Sequence, residues 1–177
     1  MNIKRMLATL GVLAIAGSAA FAQVGSRPQV YSDMVPPDKG TTEIGLGGYI
    51  NFGGDNDWAV NLRYLPYLNR NVQLGGDLRY EDAGSSDNGT LTLRGDWNFV
   101  SSADEDFAVK RTVPYVGVGV GFDIGDGDND TAFDIHGGLK HFITNDVSVF
   151  GEIRARLDDN ENDSDAVLYF GINTYLR

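Results

Sequence analysis

The sequence predicts an all-β fold: eight antiparallel strands closing into an up-and-down transmembrane β-barrel. Three observations lead there. A two-residue alternation of apolar and other side chains returns eight times between Thr41 and Arg177. That is the period of a strand, whose successive side chains leave opposite faces. The apolar row of these stretches carries no Asp, Glu, Lys or Arg. The opposite row is rich in glycine and in charges of both signs. Its seven acids are Glu43, Asp77, Glu81, Asp96, Asp123, Asp134 and Glu152, and its six bases are Arg63, Arg79, Arg94, Lys140, Arg154 and Arg156. A water-facing row has no need of such balance. A closed interior does, because an unpaired buried charge is strongly unfavourable. The apolar row therefore faces lipid, and the charged row faces a narrow lumen.

The chain opens with Lys4 and Arg5, an apolar run from Met6 to Ala16, and small residues ending in Ala20-Phe21-Ala22. This is the pattern of a secretory signal peptide over residues 1–22, cleaved before Gln23. The run is broken by Thr9, Gly11 and Gly17, whereas a membrane-spanning helix needs about 20 apolar residues. The chain has no cysteine, which excludes a lipidated Cys at the cleavage site and a disulfide framework. Residues 23–40 hold three of the five prolines and no periodicity, so they read as an extended N-terminal segment. Residues 41–177 form one barrel domain.

The first stretch sets Ile44, Leu46, Ile50 and Phe52 against Glu43, Gly45, Gly47, Tyr49 and Asn51. The second sets Trp58, Val60, Leu62 and Tyr64 against Ala59, Asn61, Arg63 and Leu65. In the third, Val72, Leu74, Leu78 and Tyr80 oppose Gln73, Gly75, Asp77, Arg79 and Glu81. The fourth has Leu91, Leu93, Trp97 and Phe99 against Thr92, Arg94, Asp96 and Asn98. The fifth is the clearest: Val116, Val118, Val120, Phe122 and Ile124 alternate with Tyr115, Gly117, Gly119, Gly121 and Asp123. A soluble sheet would not back its apolar row with glycine; a crowded lumen would. The sixth sets Phe133, Ile135 and Leu139 against Asp134, His136, Gly138 and Lys140. The seventh sets Val147, Val149, Ile153, Ala155 and Leu157 against Ser148, Phe150, Glu152, Arg154 and Arg156. The eighth sets Ala166, Leu168, Phe170, Ile172 and Leu176 against Val167, Tyr169, Gly171, Asn173 and Tyr175. Trp and Tyr fall toward the ends of the apolar row, where membrane interfaces place aromatics.

The connections differ by parity. Those after odd strands hold twelve acids (Asp55, Asp57, Asp82, Asp87, Asp126, Asp128, Asp130, Asp158, Asp159, Glu161, Asp163 and Asp165) and no Lys or Arg, and the whole chain is at −11. Such a charge repels nucleic acid. With both chain ends on the periplasmic side, the acidic connections would face outside. Asp126-Gly-Asp-Asn-Asp130 has acids at calcium-loop spacing, but an EF-hand needs Gly at its sixth position and Glu at its twelfth. Here those positions hold Thr131 and Gly137. Weak, non-selective divalent binding by Asp126, Asp128, Asp130, Asp158, Asp159, Glu161 and Asp163 is expected, with no specific metal site and no cofactor.

In an antiparallel pair, residues directly opposite share a face. A short turn between strands six and seven then sets Asp134 opposite Arg156, His136 opposite Arg154 and Gly138 opposite Glu152. For strands three and four, charge balance favours Glu81 opposite Arg94 and Arg79 opposite Asp96. Linked to Glu43, Arg63 and Asp123, these pairs are expected to plug the lumen.

Pro114-Tyr-Val-Gly-Val-Gly-Val-Gly121, Phe150-Gly-Glu-Ile-Arg-Ala-Arg156 and the closing Tyr169-Phe-Gly-Ile-Asn-Thr-Tyr175 carry a resemblance. The chain resembles the small eight-stranded outer-membrane barrels of Gram-negative bacteria, which include the transmembrane domain of outer-membrane protein A and the OmpX and OmpW types. The resemblance implies a monomer in the cell outer membrane, inserted by the outer-membrane assembly machinery. Such chains usually end in an aromatic residue, whereas this one ends Tyr175-Leu176-Arg177; Tyr175 or Phe170 would have to serve as the signal. The outer-membrane lipid A deacylases carry His-x-Ser, and the corresponding positions here are His136-Gly-Gly138, so no enzyme is expected. Two roles remain. One is a plugged barrel with a structural and surface-interaction role, its loops meeting lipopolysaccharide through divalent cations. The alternative is a narrow porin or transporter for small solutes or apolar molecules.

Overall fold

A computed structural model describes residues 34–50, 58–82, 87–100, 111–124, 131–158 and 166–177. The signal peptide, the start of the 23–40 segment, and Asp126, Asp128, Asp130, Asp159, Glu161 and Asp163 lie outside the described residues. The strands are β1 (Thr42–Ile50), β2 (Trp58–Pro66), β3 (Val72–Asp82), β4 (Asp87–Asn98), β5 (Thr112–Ile124), β6 (Thr131–Thr144), β7 (Val147–Asp158) and β8 (Ala166–Leu176). Each pairs antiparallel with the next, and β1 pairs with β8, so the sheet closes and leaves no edge. Asp82 and Asp87, read above as loop residues, face each other as the last pair of the β3–β4 ladder, and Asp158 ends β7 opposite Ala132. Backbone pairing needs no apolar side chain, so the ladders outrun the apolar rows.

The barrel has two unlike ends. The turn end carries the connections after even strands, residues 34–40 and the C-terminus; the loop end carries the connections after odd strands. Side chains alternate in burial along every strand, and the sense of alternation is inverted. Leu62, Leu74, Leu93, Val118, Phe133, Ile135, Ile153 and Leu168 are exposed, while Arg63, Asp77, Arg94, Lys140 and Glu152 are buried. The exposed apolar residues run around the whole wall with aromatics at the margins, Trp58 beside Tyr80 near the loop end and Trp97 near the turn end. No soluble monomer exposes so large an apolar surface; a barrel in hydrocarbon must. No helix among the described residues is long and apolar enough to cross a membrane, and crossing falls to the strands.

The β6–β7 register sets Asp134 opposite Arg156, His136 opposite Arg154 and Gly138 opposite Glu152, as expected. The β3–β4 register does not follow charge balance. Arg79 faces Thr90, Glu81 faces Asn88, Arg94 faces Gly75 and Asp96 faces Gln73. The expected pairs Glu81–Arg94 and Arg79–Asp96 therefore do not form across this ladder. Neutral residues or glycine stand opposite Asp77, Arg79, Glu81, Arg94 and Asp96 on this ladder, and the one like-charge pair, Asp82 with Asp87, lies at its end. The charges find partners along their own strand, diagonally on the next strand and across the lumen instead.

Residues 34–40 form no strand, yet they complete the turn end. Met34 is 2% exposed and packs in one apolar cluster with Tyr67, Val113, Phe142 and Tyr175. The backbone N–H of Val35 donates to Asn145 Oδ1 at 3.0 Å. Arg177 Nη2 donates to Val35 O at 3.0 Å and Asn145 O at 2.9 Å. The non-aromatic C-terminal residue thus clasps the incoming chain to the β6–β7 turn.

The inward glycines supply space for large neighbours. A Cβ on Gly117 would strike His136 Nε2 and lie 2.6 Å from Gly95 O and 2.7 Å from Asp96 Oδ1. Gly117→Ala should cost about 1–3 kcal/mol by overpacking. Gly151→Ala, on a strand with nothing within 4 Å of the added carbon, should fall within about 0.5 kcal/mol of wild type. Urea unfolding from lipid vesicles compares the two, and equal midpoints would show that the lumen is not tightly filled.

Candidate functional site

The candidate site is the lumen itself, and its groups arrange in three tiers. Each arises because a strand presents every second side chain inward, so that eight short inward rows converge on a narrow axis. Of the thirteen charged residues singled out from sequence, nine are buried: Glu43, Arg63, Asp77, Arg94, Asp96, Asp134, Lys140, Glu152 and Arg154. Arg79, Glu81, Asp123 and Arg156 are half-buried toward the loop end.

The middle tier is a continuous ionic layer. Arg94 grips Asp96 in a fork, Nε to Oδ1 at 3.0 Å and Nη2 to Oδ2 at 3.0 Å. It also donates to Asp77 Oδ2 at 3.1 Å and to Glu152 Oε2 at 2.8 Å. Arg154 donates to Asp77 Oδ2 at 2.7 Å and to Glu152 Oε1 at 3.0 Å. Arg63 reaches Glu152 Oε1 at 2.9 Å from the far side, and the Tyr115 hydroxyl donates to Glu152 Oε2 at 2.7 Å. Glu152 is the hub, accepting from three guanidiniums and a phenol; the bare Gly138 opposite it leaves room for that convergence. Two bases lie against rings, Arg63 at 3.9 Å from the Phe150 centroid and Arg154 at 4.9 Å from that of Tyr169. Arginine suits this place because its planar fork satisfies several carboxylate oxygens at once.

The turn-end tier is smaller. Lys140 Nζ donates to Glu43 Oε2 at 2.8 Å and Gln73 Oε1 at 2.7 Å. Gln73 Nε2 returns to Glu43 Oε2 at 3.0 Å, and Asn98 Nδ2 donates to Gln73 Oε1 at 2.9 Å. At the loop end, Arg156 Nη2 donates to Asp123 Oδ2 at 2.7 Å, and Thr90 Oγ1 donates to Asp123 Oδ1 at 2.9 Å. Arg79 bonds Thr90 Oγ1 at 3.1 Å and Tyr169 OH at 2.9 Å and lies 3.6 Å from Glu81.

Gln73, Asn98, Thr90, Tyr115 and Tyr169 were not singled out from sequence, although they share the inward parity. Being neutral, they gave no charge signal; their role as bridges depends on which strands face across the lumen. His136 belongs to the middle tier, with Nε2 at 2.9 Å from Asp96 Oδ1. Ser148 bonds Tyr175 OH at 2.9 Å and Asn173 Nδ2 at 3.3 Å, not His136. A nucleophilic serine needs its base within hydrogen-bond reach, and the two residues share no hydrogen bond. No group of three or more His, Cys, Asp or Glu able to hold a metal occurs among the described residues.

No protein-family model and no curated protein matches the sequence. Solved structures do match. The N-terminal β-barrel domain of Pseudomonas aeruginosa OprF aligns with a TM-score of 0.58 at 15% identity, over 79% of this chain and 100% of that one. A de novo designed transmembrane β-barrel aligns at 0.58 and 17%, over 80% and 99%. Neisserial surface protein A aligns at 0.53 and 10%, over 76% and 93%. The chain has the fold of the small eight-stranded outer-membrane barrels. Because a designed barrel has it too, the fold alone carries no function.

Proposed function

We propose that the protein is a small barrel of the bacterial outer membrane whose lumen is closed by ion pairs, and that it serves as a structural and surface-interaction element. The observation that carries this reading is the middle tier. Side chains from β2, β3, β4, β5, β6 and β7 meet there, and Arg63, Asp77, Arg94, Asp96, Glu152 and Arg154 are all buried and mutually bonded. A permeant ion would have to separate several of these contacts at once, at the cost of exposing desolvated charges. Catalysis is not part of the reading, since His136 and Ser148 serve separate hydrogen-bond networks.

On this reading, the twelve acids of the connections after odd strands face outside. They draw in calcium or magnesium weakly and meet the phosphates of lipopolysaccharide through those ions. The monomer reaches its place through the outer-membrane assembly machinery. The mature chain in a planar bilayer should give no steady current at moderate voltage, and millimolar calcium should slow loop motion in relaxation measurements. A steady ohmic current would favour the narrow-porin reading, and calcium-insensitive loops would remove the proposed bridge to lipid.

A further inference from the structure

The outer wall is not smooth. Gly76 stands mid-strand in β3 with the outward parity of Leu74 and Leu78, and its ladder neighbours are Tyr64 on β2 and Leu93 on β4. A missing side chain between two large ones leaves a recess of about 580 Å³, lined by Leu62, Tyr64, Leu74, Leu78, Leu91 and Leu93. All six are exposed. Ligand clefts usually measure about 300–1,000 Å³, so the recess is large enough to hold part of a molecule. It is also built into the backbone. A Cβ on Gly76 would lie 2.6 Å from Thr92 O, so no larger residue fills the place without moving β4.

Depth and charge say what fills it. Gly76 lies four residues beyond Val72, the turn-end start of β3, which is about 13 Å along the strand. At a tilt of about 40° that is about 10 Å along the bilayer normal, against about 15 Å for half the hydrocarbon thickness. The recess therefore belongs to the turn-end leaflet, at the depth of the inner half of an acyl chain. Trp97, paired with Val72, marks the headgroup level of that leaflet. Just beyond it, the β2–β3 turn carries Arg70 and no acid. At the other end of the wall here, the β1–β2 and β3–β4 connections and the strand ends beside them carry Asp55, Asp57, Asp82 and Asp87 and no base. An anionic headgroup is drawn to the first end and repelled from the second. A guanidinium suits a phosphate in particular, because its planar fork donates two parallel hydrogen bonds.

We propose that this sector of the wall seats one anionic phospholipid of the turn-end leaflet, with an acyl chain lying over Gly76 and the phosphate at the β2–β3 turn beside Arg70. Every exposed apolar residue of the wall meets passing lipid; this sector joins a recess to a cation within one leaflet. The seat rests on the wall meeting a bilayer and is independent of whether the lumen conducts.

The test folds the full mature chain into vesicles of equal phosphatidylglycerol and phosphatidylcholine, transfers it to detergent and counts the retained lipids by native mass spectrometry. One phosphatidylglycerol per barrel should remain, in about fivefold excess over phosphatidylcholine, the weight of one cation at an anionic membrane surface. Arg70→Gln should bring that ratio near one. Leu93→Trp should displace lipid of either kind, because Leu93 Cδ2 lies 3.7 Å from where a Cβ of Gly76 would sit, and an indole there covers the recess. Equal retention of the two lipids by the wild type would overturn the proposal. So would a bound phosphatidylglycerol that survives both substitutions. A two-copy species that Leu93→Trp removes would show that a second chain occupies the recess, and would overturn it too. If Leu93→Trp fails to fold, the wild-type ratio and Arg70→Gln still decide. Failure of the wild type to fold into vesicles of any composition would instead refute the membrane reading on which the seat depends.

Discussion

Replacing Arg94 with methionine should destabilise the barrel by about 3–5 kcal/mol, the range for breaking a buried ion pair by removing one partner. Arg94 sits at the centre of the middle tier and donates to Asp77, Asp96 and Glu152 together. Methionine retains much of the side-chain volume, so the loss reports charge and hydrogen bonding more than a cavity. Asp77 and Glu152 would then depend on Arg63 and Arg154, and Asp96 would be left with His136. The contrast is Arg156→Met. That pair with Asp123 is half-buried at the loop end, where solvent screens it, and exposed pairs contribute about 0–1 kcal/mol. Urea unfolding from vesicles of one lipid composition measures both. If Arg94→Met and Arg156→Met cost the same, the middle tier is hydrated and the lumen is not closed by ion pairs.

Val118→Arg is the second large effect, and it acts on the opposite face. Val118 lies mid-strand in β5, is 63% exposed, and has Ile135 and Gly95 as its ladder neighbours. Arginine at the bilayer midplane of such a barrel costs about 2–4 kcal/mol, falling to about 0–1 near the interfaces. Ile124→Arg supplies the depth control, because Ile124 is also exposed but ends β5 at the loop end. The expected outcome is a marked loss at Val118 and a small one at Ile124. Two equal, small losses would mean that this face does not meet hydrocarbon.

Much of this architecture was legible in the chain. The facing of Glu43, Arg63, Asp77, Lys140 and Glu152 follows from a local rule, since the pleat sends alternate side chains to opposite sides whatever the strand's neighbours are. The inverted apolar row of β5 then settled lipid against water. The β6–β7 register was also readable, because a turn of two residues between Thr144 and Val147 leaves few alternatives. The β3–β4 register was not. Local charge balance suggested Arg79 opposite Asp96, yet Asp96 faces Gln73 and takes its base from Arg94 on its own strand.

What the sequence alone determined, then, is the class of each face: which residues meet lipid and which meet the lumen. Closure of the barrel decided who meets whom inside. Arg94 and Glu152 are 58 residues apart and lie on β4 and β7, strands that share no ladder. Their contact depends on all the registers around the ring together, and no local pattern encodes that sum. The same holds for Met34, whose burial requires a mouth built by Tyr67, Val113, Phe142 and Tyr175 from distant parts of the chain.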